Sequence, residues 1–461
     1  MSETGGTIIG IKGSIIEVEW AERAPRISHI LRGVDDSTLE LTVLSSASET
    51  SVFCSMLKPI GTLTRGMKVI DTQQPFSIPV GEAVLGRAFT LFGQPLDFAD
   101  KPISRAQTRP VISPTNFSIN DIVTTGEVIE TGMKVIDFFT PVLKGGKTAI
   151  IGGAGLGKTV ILTELINRLV IKQDIDKRKV AVFSAVGERS REALDIYQHL
   201  EEAGVLSRTS LIIGQMGENP AVRWHTAYAS AAIAEHFRDG EKRDVFFFMD
   251  NIYRFAQAGN ELSTLMKTIP SEDGYQPTLS SEMASLNQRL TSNHNGSITS
   301  FMALFVPSDE ITNYGVRSIL PYLDTIIVLS REIFQNGIFP AVDILASSSI
   351  ALSEKTVGKD HYTAFITAKK LLEKSTSLQR IVSLVGEQEL SLENQILYKR
   401  AEILRNFMTQ DIFQNTSAGD SKVTYVNRED TITGVRKILA GQCDGIPPEK
   451  FAFIGKIDDR K

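Results

Sequence analysis

Cysteine is almost absent from this chain. Cys54 and Cys443 are the only two among 461 residues and stand far apart, which argues against a disulfide framework or a cysteine metal site and suits a reducing compartment. No tract is dominated by one charge. The formal net charge of −5 is thin for this length, and no basic run of the sort that follows a nucleic-acid backbone occurs, so nucleic acid is not an expected partner. The six histidines, His29, His199, His225, His236, His294 and His361, show no metal-ligand spacing and read as structural. The start, Met1 to Gly10, has neither a basic segment followed by an apolar one nor an Arg-rich amphipathic look, so neither export nor organelle import is expected. The triplets beginning at Asn116, Asn295 and Asn415 then read as chance matches to the glycosylation pattern. Low-complexity tracts, fixed-period repeats and membrane-spanning runs are also missing. With 42% apolar and 22% charged residues, what is left is an ordinary globular chain, long enough for roughly two to four domains.

Up to about Val80 the chain shows short alternating or β-branched runs, Thr7 to Ile11, Ser14 to Glu19 and Leu39 to Leu44, broken by Gly, Asp and Ser. That spacing predicts a small all-β unit. The texture changes near Gly81, and Arg109-Pro110 through Pro114 reads as an extended connector. Between Lys147 and about Ser330, apolar runs alternate with helical stretches: Thr148 to Ile151, Lys179 to Val186, Leu211 to Ile213, Val245 to Met249, Ile298 to Val306 and Thr325 to Leu329. Continuously apolar strands separated by helices predict a mostly parallel sheet covered on both faces. From about Asp360 the apolar residues take helical spacing, as in Ala364, Ala368, Leu371, Leu372, Leu378, Ile381, Val382 and Val385, which predicts a C-terminal helical bundle. The expected fold is mixed: a β-barrel over residues 1–80, an α/β phosphate-loop domain over 81–350 and a helical domain over 351–461.

Three segments carry chemistry. Gly152-Gly153-Ala154-Gly155-Leu156-Gly157-Lys158-Thr159, followed by Val160, fills the pattern of a phosphate-binding loop between an apolar strand and a helical run. Glycines suit it because backbone N–H groups must converge on phosphate oxygens with no Cβ in the way, and the helix N-terminus adds positive potential. Lys158 is placed to reach the β- and γ-phosphates and the Thr159 hydroxyl to ligate Mg²⁺. The second segment is the apolar run Val245 to Met249 ending in Asp250. An Asp there is a common helix cap, but at the C-terminal end of a parallel strand downstream of a phosphate loop it can hold Mg²⁺ through water. The third is Gly187-Glu188-Arg189 at the end of another strand. Its carboxylate could orient and deprotonate an attacking water while Arg189 balances phosphate charge; the bland alternative is a surface ion pair.

With Asp250-Asn251-Ile252-Tyr253-Arg254-Phe255, Gly274-Tyr275-Gln276-Pro277-Thr278-Leu279, Glu130-Thr131-Gly132-Met133-Lys134-Val135-Ile136-Asp137 and Pro340-Ala341-Val342-Asp343, these segments resemble the β subunits of F-type rotary ATP synthases from Gly6 to Gly455. The resemblance implies a β-barrel crown, a nucleotide domain and a helical domain. It also implies a ring alternating with non-catalytic α-type subunits around a γ-type shaft, coupled through other subunits to a membrane sector that moves H⁺ or Na⁺. ATP, ADP and phosphate would be the substrates and Mg²⁺ the cofactor. Carried onto this sequence, Lys158 and Arg189 hold phosphates, Glu188 activates water and Arg254 lines the γ-phosphate site. Glu192 organises the Mg²⁺ waters beside Thr159 and Asp250, and a further arginine comes from the α-type neighbour. Non-catalytic relatives carry Gln at the Glu188 position. The expected location is peripheral, on the cytoplasmic face of a bacterial inner membrane or its organelle-encoded equivalent, with no direct membrane insertion.

Departures from that family stand out. Phe339 replaces a tyrosine that stacks on adenine, and Gln414 to Asp420, around Ala418 and Gly419, supplies no second aromatic. The acidic lever is reduced to Gln388-Glu389-Leu390-Ser391-Leu392-Glu393-Asn394, so coupling through charge should be weaker. Ser347-Ser348-Ser349-Ile350 also replaces a more polar pattern. Two other readings share the nucleotide core: a homohexameric flagellar or secretion-type export ATPase, and a regulatory nucleotide-binding subunit without turnover.

Overall fold

The computed structural model describes residues 5–57, 63–99, 101–113, 119–171, 178–271, 273–306, 313–411 and 425–459. Two compact units divide the chain. The first comprises Met1–Val123, Asp176–Ile298 and Ile311–Tyr322, the second Thr124–Ile175, Thr299–Glu310 and Leu323–Lys461.

The first unit begins with six strands, β1 (Gly6–Lys12), β2 (Ile15–Glu19), β3 (His29–Gly33), β4 (Glu40–Ser46), β5 (Ser51–Met56) and β6 (Lys68–Pro75). They close into an antiparallel barrel in the order β1-β2-β5-β4-β3-β6. Alternation explains the closure: Ile8, Ile16, Val18, Leu31, Leu41, Val43, Val52, Cys54 and Val69 meet in one buried core, and pairing of β6 with both β1 and β3 leaves no open edge. The expected connector differs from its reading. Thr108–Pro110 is a short strand pairing antiparallel with Ser77–Pro79, because the stretch before Pro110 still offers backbone groups to a partner; residues 114–118 lie outside the described residues.

Also in the first unit, strand Lys179–Glu188 pairs in parallel with Thr209–Gln215 on one side and Asp244–Asp250 on the other, and Ala88–Phe89 extends the set beside Thr209–Gln215. These strands are apolar along nearly their whole length, as burial on both faces demands. Helix Pro220–Asp239, with Pro at its first position and Asn219 accepting from Val222 N at 3.0 Å, packs on them, and its Ala227, Ala231, Ala234 and Phe237 are buried.

In the second unit, strand Lys147–Gly152 pairs in parallel with Ser300 to Phe305 and with Thr325–Val328, and Ser348–Ser349 pairs antiparallel with Thr325–Val328. Helices Lys359–Val385, Leu392–Phe407 and Arg428–Leu439 follow. Ala364, Ala368, Leu371, Leu372 and Leu378 are buried as their spacing requires. The stripe then leaves the core: Ile381, Leu384, Val385 and, on the next helix, Leu392 are exposed. Where a buried face was expected for Ile381 and Val385, the helix runs on past the elements that could cover it. The chain therefore has an N-terminal antiparallel barrel, a mostly parallel nucleotide-binding core and a C-terminal helical region.

Candidate nucleotide site

In the second unit the phosphate loop leaves the buried strand Lys147–Gly152 and enters helix Lys158–Ile166. Gly152 is closely packed: a Cβ there would stand 3.1 Å from Leu329 Cβ and 3.3 Å from Leu156 Cδ1, tighter than ordinary contact. Gly155 and Gly157 take left-handed backbone angles, φ +76° and +79°, which turn successive amides toward a common centre. Leu156 is buried and anchors the loop, while Ala154 and Gly155 are exposed. Lys158 opens the helix; its Nζ donates to the carbonyls of Gly152 at 2.9 Å and Gly153 at 2.6 Å and lies 5.7 Å from the centre of the Phe305 ring. Thr159 and Val160 continue the first turn, half-buried. Arg331 Nη2 donates to Ala154 O at 3.2 Å, which ties the segment after Thr325–Val328 to the loop. Phe339, reached from that segment, meets Phe334 edge to face with ring centres 5.4 Å apart.

In the first unit, three sequence segments converge on Glu188. The strand carrying it has a bulge between Val186 and Glu188, where Gly187 adopts φ +70°. A Cβ on Gly187 would come 3.2 Å from Arg254 Cβ, so the missing side chain lets Arg254 lie against the bulge, which re-aims Glu188. Glu188 is only 9% exposed, which removes the surface ion pair as its explanation. Its Oε1 accepts from Asn251 Nδ2 at 3.2 Å. Burial first, then a hydrogen bond with Glu192 and the charges of Asp250 and Glu192, push its carboxyl up to about 9, and Arg254 pulls the other way.

Asp250 is 4% exposed at the end of its strand. The cap of helix Ile252–Leu265 is its neighbour Asn251, whose side chain accepts from Arg254 N at 3.0 Å, so capping does not account for Asp250. Arg254 Nη1 donates to Gln257 Oε1 at 3.0 Å. Arg189 is exposed and pairs with Glu192 at 3.8 Å.

The predicted residues thus fall into two groups: Gly152 to Val160 with Phe339 in the second unit, and Glu188, Arg189, Glu192, Asp250 and Arg254 in the first. Sequence reasoning missed Asn251, Gln257, Arg331, Phe334 and the conformation of Gly187. For Asn251 a signal was present, an Asn directly before a helical run; Arg331 and Phe334 carry none that spacing reveals. Residues 414–420, where the second aromatic is missing from the sequence, lie outside the described residues. The histidines keep structural company: His361 Nε2 pairs with Phe138 O at 2.8 Å, and burial drops the His225 imidazole to about 4.

Residues 132–349 match the model of the ATP synthase alpha/beta family, nucleotide-binding domain. The chain carries an ATP synthase alpha/beta nucleotide-binding domain. Residues 351–424 match the C-terminal domain of V and A type ATP synthase, so both matched regions are those of an ATP synthase subunit. In the alpha/beta domain the left-handed glycines, Lys158 and the helix N-terminus are suited to a nucleotide's phosphates. Among the described residues no three His, Cys, Asp or Glu side chains gather as a metal cluster. Thr159 in the second unit, and Glu192 and Asp250 in the first, each offer oxygen only, the donor type that a hard cation such as Mg²⁺ prefers. No helix among the described residues is long and apolar enough to cross a membrane.

Proposed function

We propose that this chain is the catalytic, β-type subunit of an F-type rotary ATP synthase, interconverting ATP with ADP and phosphate in a ring with α-type subunits around a γ-type shaft. The observation that carries the reading is Glu188: a buried carboxyl, raised to about 9, at the bulged end of a parallel strand. Glu188 holds its own proton and becomes a base only after losing it; once ionised it accepts a proton from water more readily than an ordinary carboxylate, and an amide in its place could not accept one at all. Lys158 and Arg189 hold phosphate charge, Arg254 lines the γ-phosphate position, and Gly152 to Val160 with Phe339 bind the nucleotide. Thr159, Asp250 and Glu192 would hold Mg²⁺, which when bound would neutralise phosphate charge.

The working division is a barrel over 1–80, a nucleotide domain over 81–350 and a helical domain over 351–461. The shaft meets the exposed end of the helical domain, Ile381, Leu384, Val385 and Leu392, where apolar contact replaces much of the missing acidic charge. Through other subunits the ring drives H⁺ or Na⁺ transport from the cytoplasmic face of the membrane.

A second reading, the catalytic subunit of a V/A-type enzyme, is favoured by the match over residues 351–424. Native mass spectrometry of the complex purified through this chain separates the candidates. An alternating hetero-hexamer of α- and β-sized subunits on an F-type shaft is expected. A V/A-type subunit set favours the second reading, and a six-fold homomer contradicts both.

A further inference from the structure

We infer that Phe334 contacts the base of the bound nucleotide together with Phe339. The inference rests on the nucleotide reading of the phosphate loop and extends it to a residue that no motif marks.

The segment from Leu329 to Phe339 is fastened to the loop at its start. Leu329 N donates to Ile151 O at 2.7 Å, Leu329 Cβ packs where a Gly152 side chain would be, and Arg331 donates to Ala154 O. From Arg331 the chain runs as a single short helix, Arg331–Gln335, capped by Ser330, whose Oγ accepts from Ile333 N at 3.4 Å. Phe334 stands one turn of helix beyond Arg331, about 4.5 Å of rise, on a segment whose start is tied to the phosphate loop, and its ring partner is Phe339, one of the residues proposed to bind the nucleotide.

The pair is also unusual as packing. Phe334 is 37% exposed, a large apolar ring left at the surface, and Phe339 is only partly buried. Their planes lie 89° apart, so they form a corner: a flat heterocycle entering it stacks on one ring and meets the edge of the other. Both ends of the corner are fixed. Phe334 N donates to Ser330 O at 3.0 Å, and Phe339 O accepts from Gln410 N at 2.7 Å. Helix neighbours Ile333 and Asn336 line a separate cavity of about 700 Å³ with Leu372, Tyr398 and Arg405, whereas Phe334 does not, so its exposed surface is not explained by that space. A corner built of two phenyl rings has no hydrogen-bonding group of its own, so it grips any purine and discriminates weakly between adenine and guanine.

The test is calorimetric titration of the full chain with ATP, GTP and inorganic tripolyphosphate, a probe with phosphates and no base. For Phe334→Ala, affinity for ATP and GTP is expected to fall about 3–10-fold with tripolyphosphate unchanged, and Phe334→Tyr, which keeps a π-face, restores it. Phe334→Leu, close in volume but without the ring, should behave as Phe334→Ala, which guards against loss by misfolding. Equal weakening of ATP and tripolyphosphate, or unchanged ATP affinity in Phe334→Leu, overturns the assignment. If the unaltered chain binds neither ATP nor tripolyphosphate, the phosphate-loop reading itself fails, a result separate from the other two.

Discussion

At Glu188 burial and the neighbouring carboxylates act in one direction, against the charged form, and only Arg254 opposes them. A carboxyl raised from its ordinary 4.5 to about 9 is held by the folded chain with its proton on. Because the folded state binds that proton more tightly than the unfolded one, its stabilising contribution is full below about pH 4.5, shrinks as pH rises and is gone above about pH 9. Glu188→Gln removes the titration and keeps the shape. Thermal or urea unfolding followed against pH should therefore show the variant gaining on the unaltered chain between about pH 5 and 9, by up to about 1.4 kcal/mol per pH unit. Parallel curves over that window would mean that Glu188 is not held protonated. The residue types at this site were readable from the sequence: a carboxylate after a strand and an arginine beside it. Their surroundings were not, since the bulge depends on Gly187 yielding space to Arg254, more than sixty positions away in the chain. Asn251 shows the same limit. Its capping of Ile252–Leu265 decides what Asp250 does not do, yet Asp and Asn cap helices equally well and the sequence offers both.

Elements were legible where periodicity is strong. The run Val245 to Met249 and the strand Asp244–Asp250 differ by one residue at either end, because an apolar strand buried on both faces has few alternatives. The long helix Lys359–Val385 followed from its spacing, but spacing could not say that its last turns find no cover. Nor could it reveal how the C-terminal helices attach to the rest of the second unit. Gln410, just past helix Leu392–Phe407 and 2% exposed, makes that attachment. Its side chain accepts from Lys134 N at 2.9 Å and donates to Gly132 O at 2.8 Å, and the same carbonyl accepts from Arg168 beyond the phosphate-loop helix. Gln410→Ala leaves the Lys134 amide buried without this acceptor, while Gly132 O keeps Arg168. The expected cost is about 1–3 kcal/mol in urea unfolding. A change within about 0.5 kcal/mol would show that the link carries no load.

For the whole molecule, fold class came through from the order of textures: alternation, then parallel-type strands between helices, then helical spacing. The resemblance to F-type β subunits and the match of residues 351–424 to the V and A type C-terminal domain pull the finer assignment in two directions, while the match of residues 132–349 to the ATP synthase alpha/beta nucleotide-binding domain suits either. The central claim is that Glu188 is the group that activates water. Steady-state Mg-ATP hydrolysis by the purified assembly, with nucleotide affinity measured on the same samples, tests it directly. Glu188→Gln should bind ATP within about threefold of the unaltered complex and lose roughly 10²–10⁴-fold in turnover. Turnover that survives the substitution, or an unaltered complex that binds Mg-ATP and never hydrolyses it, would contradict the account.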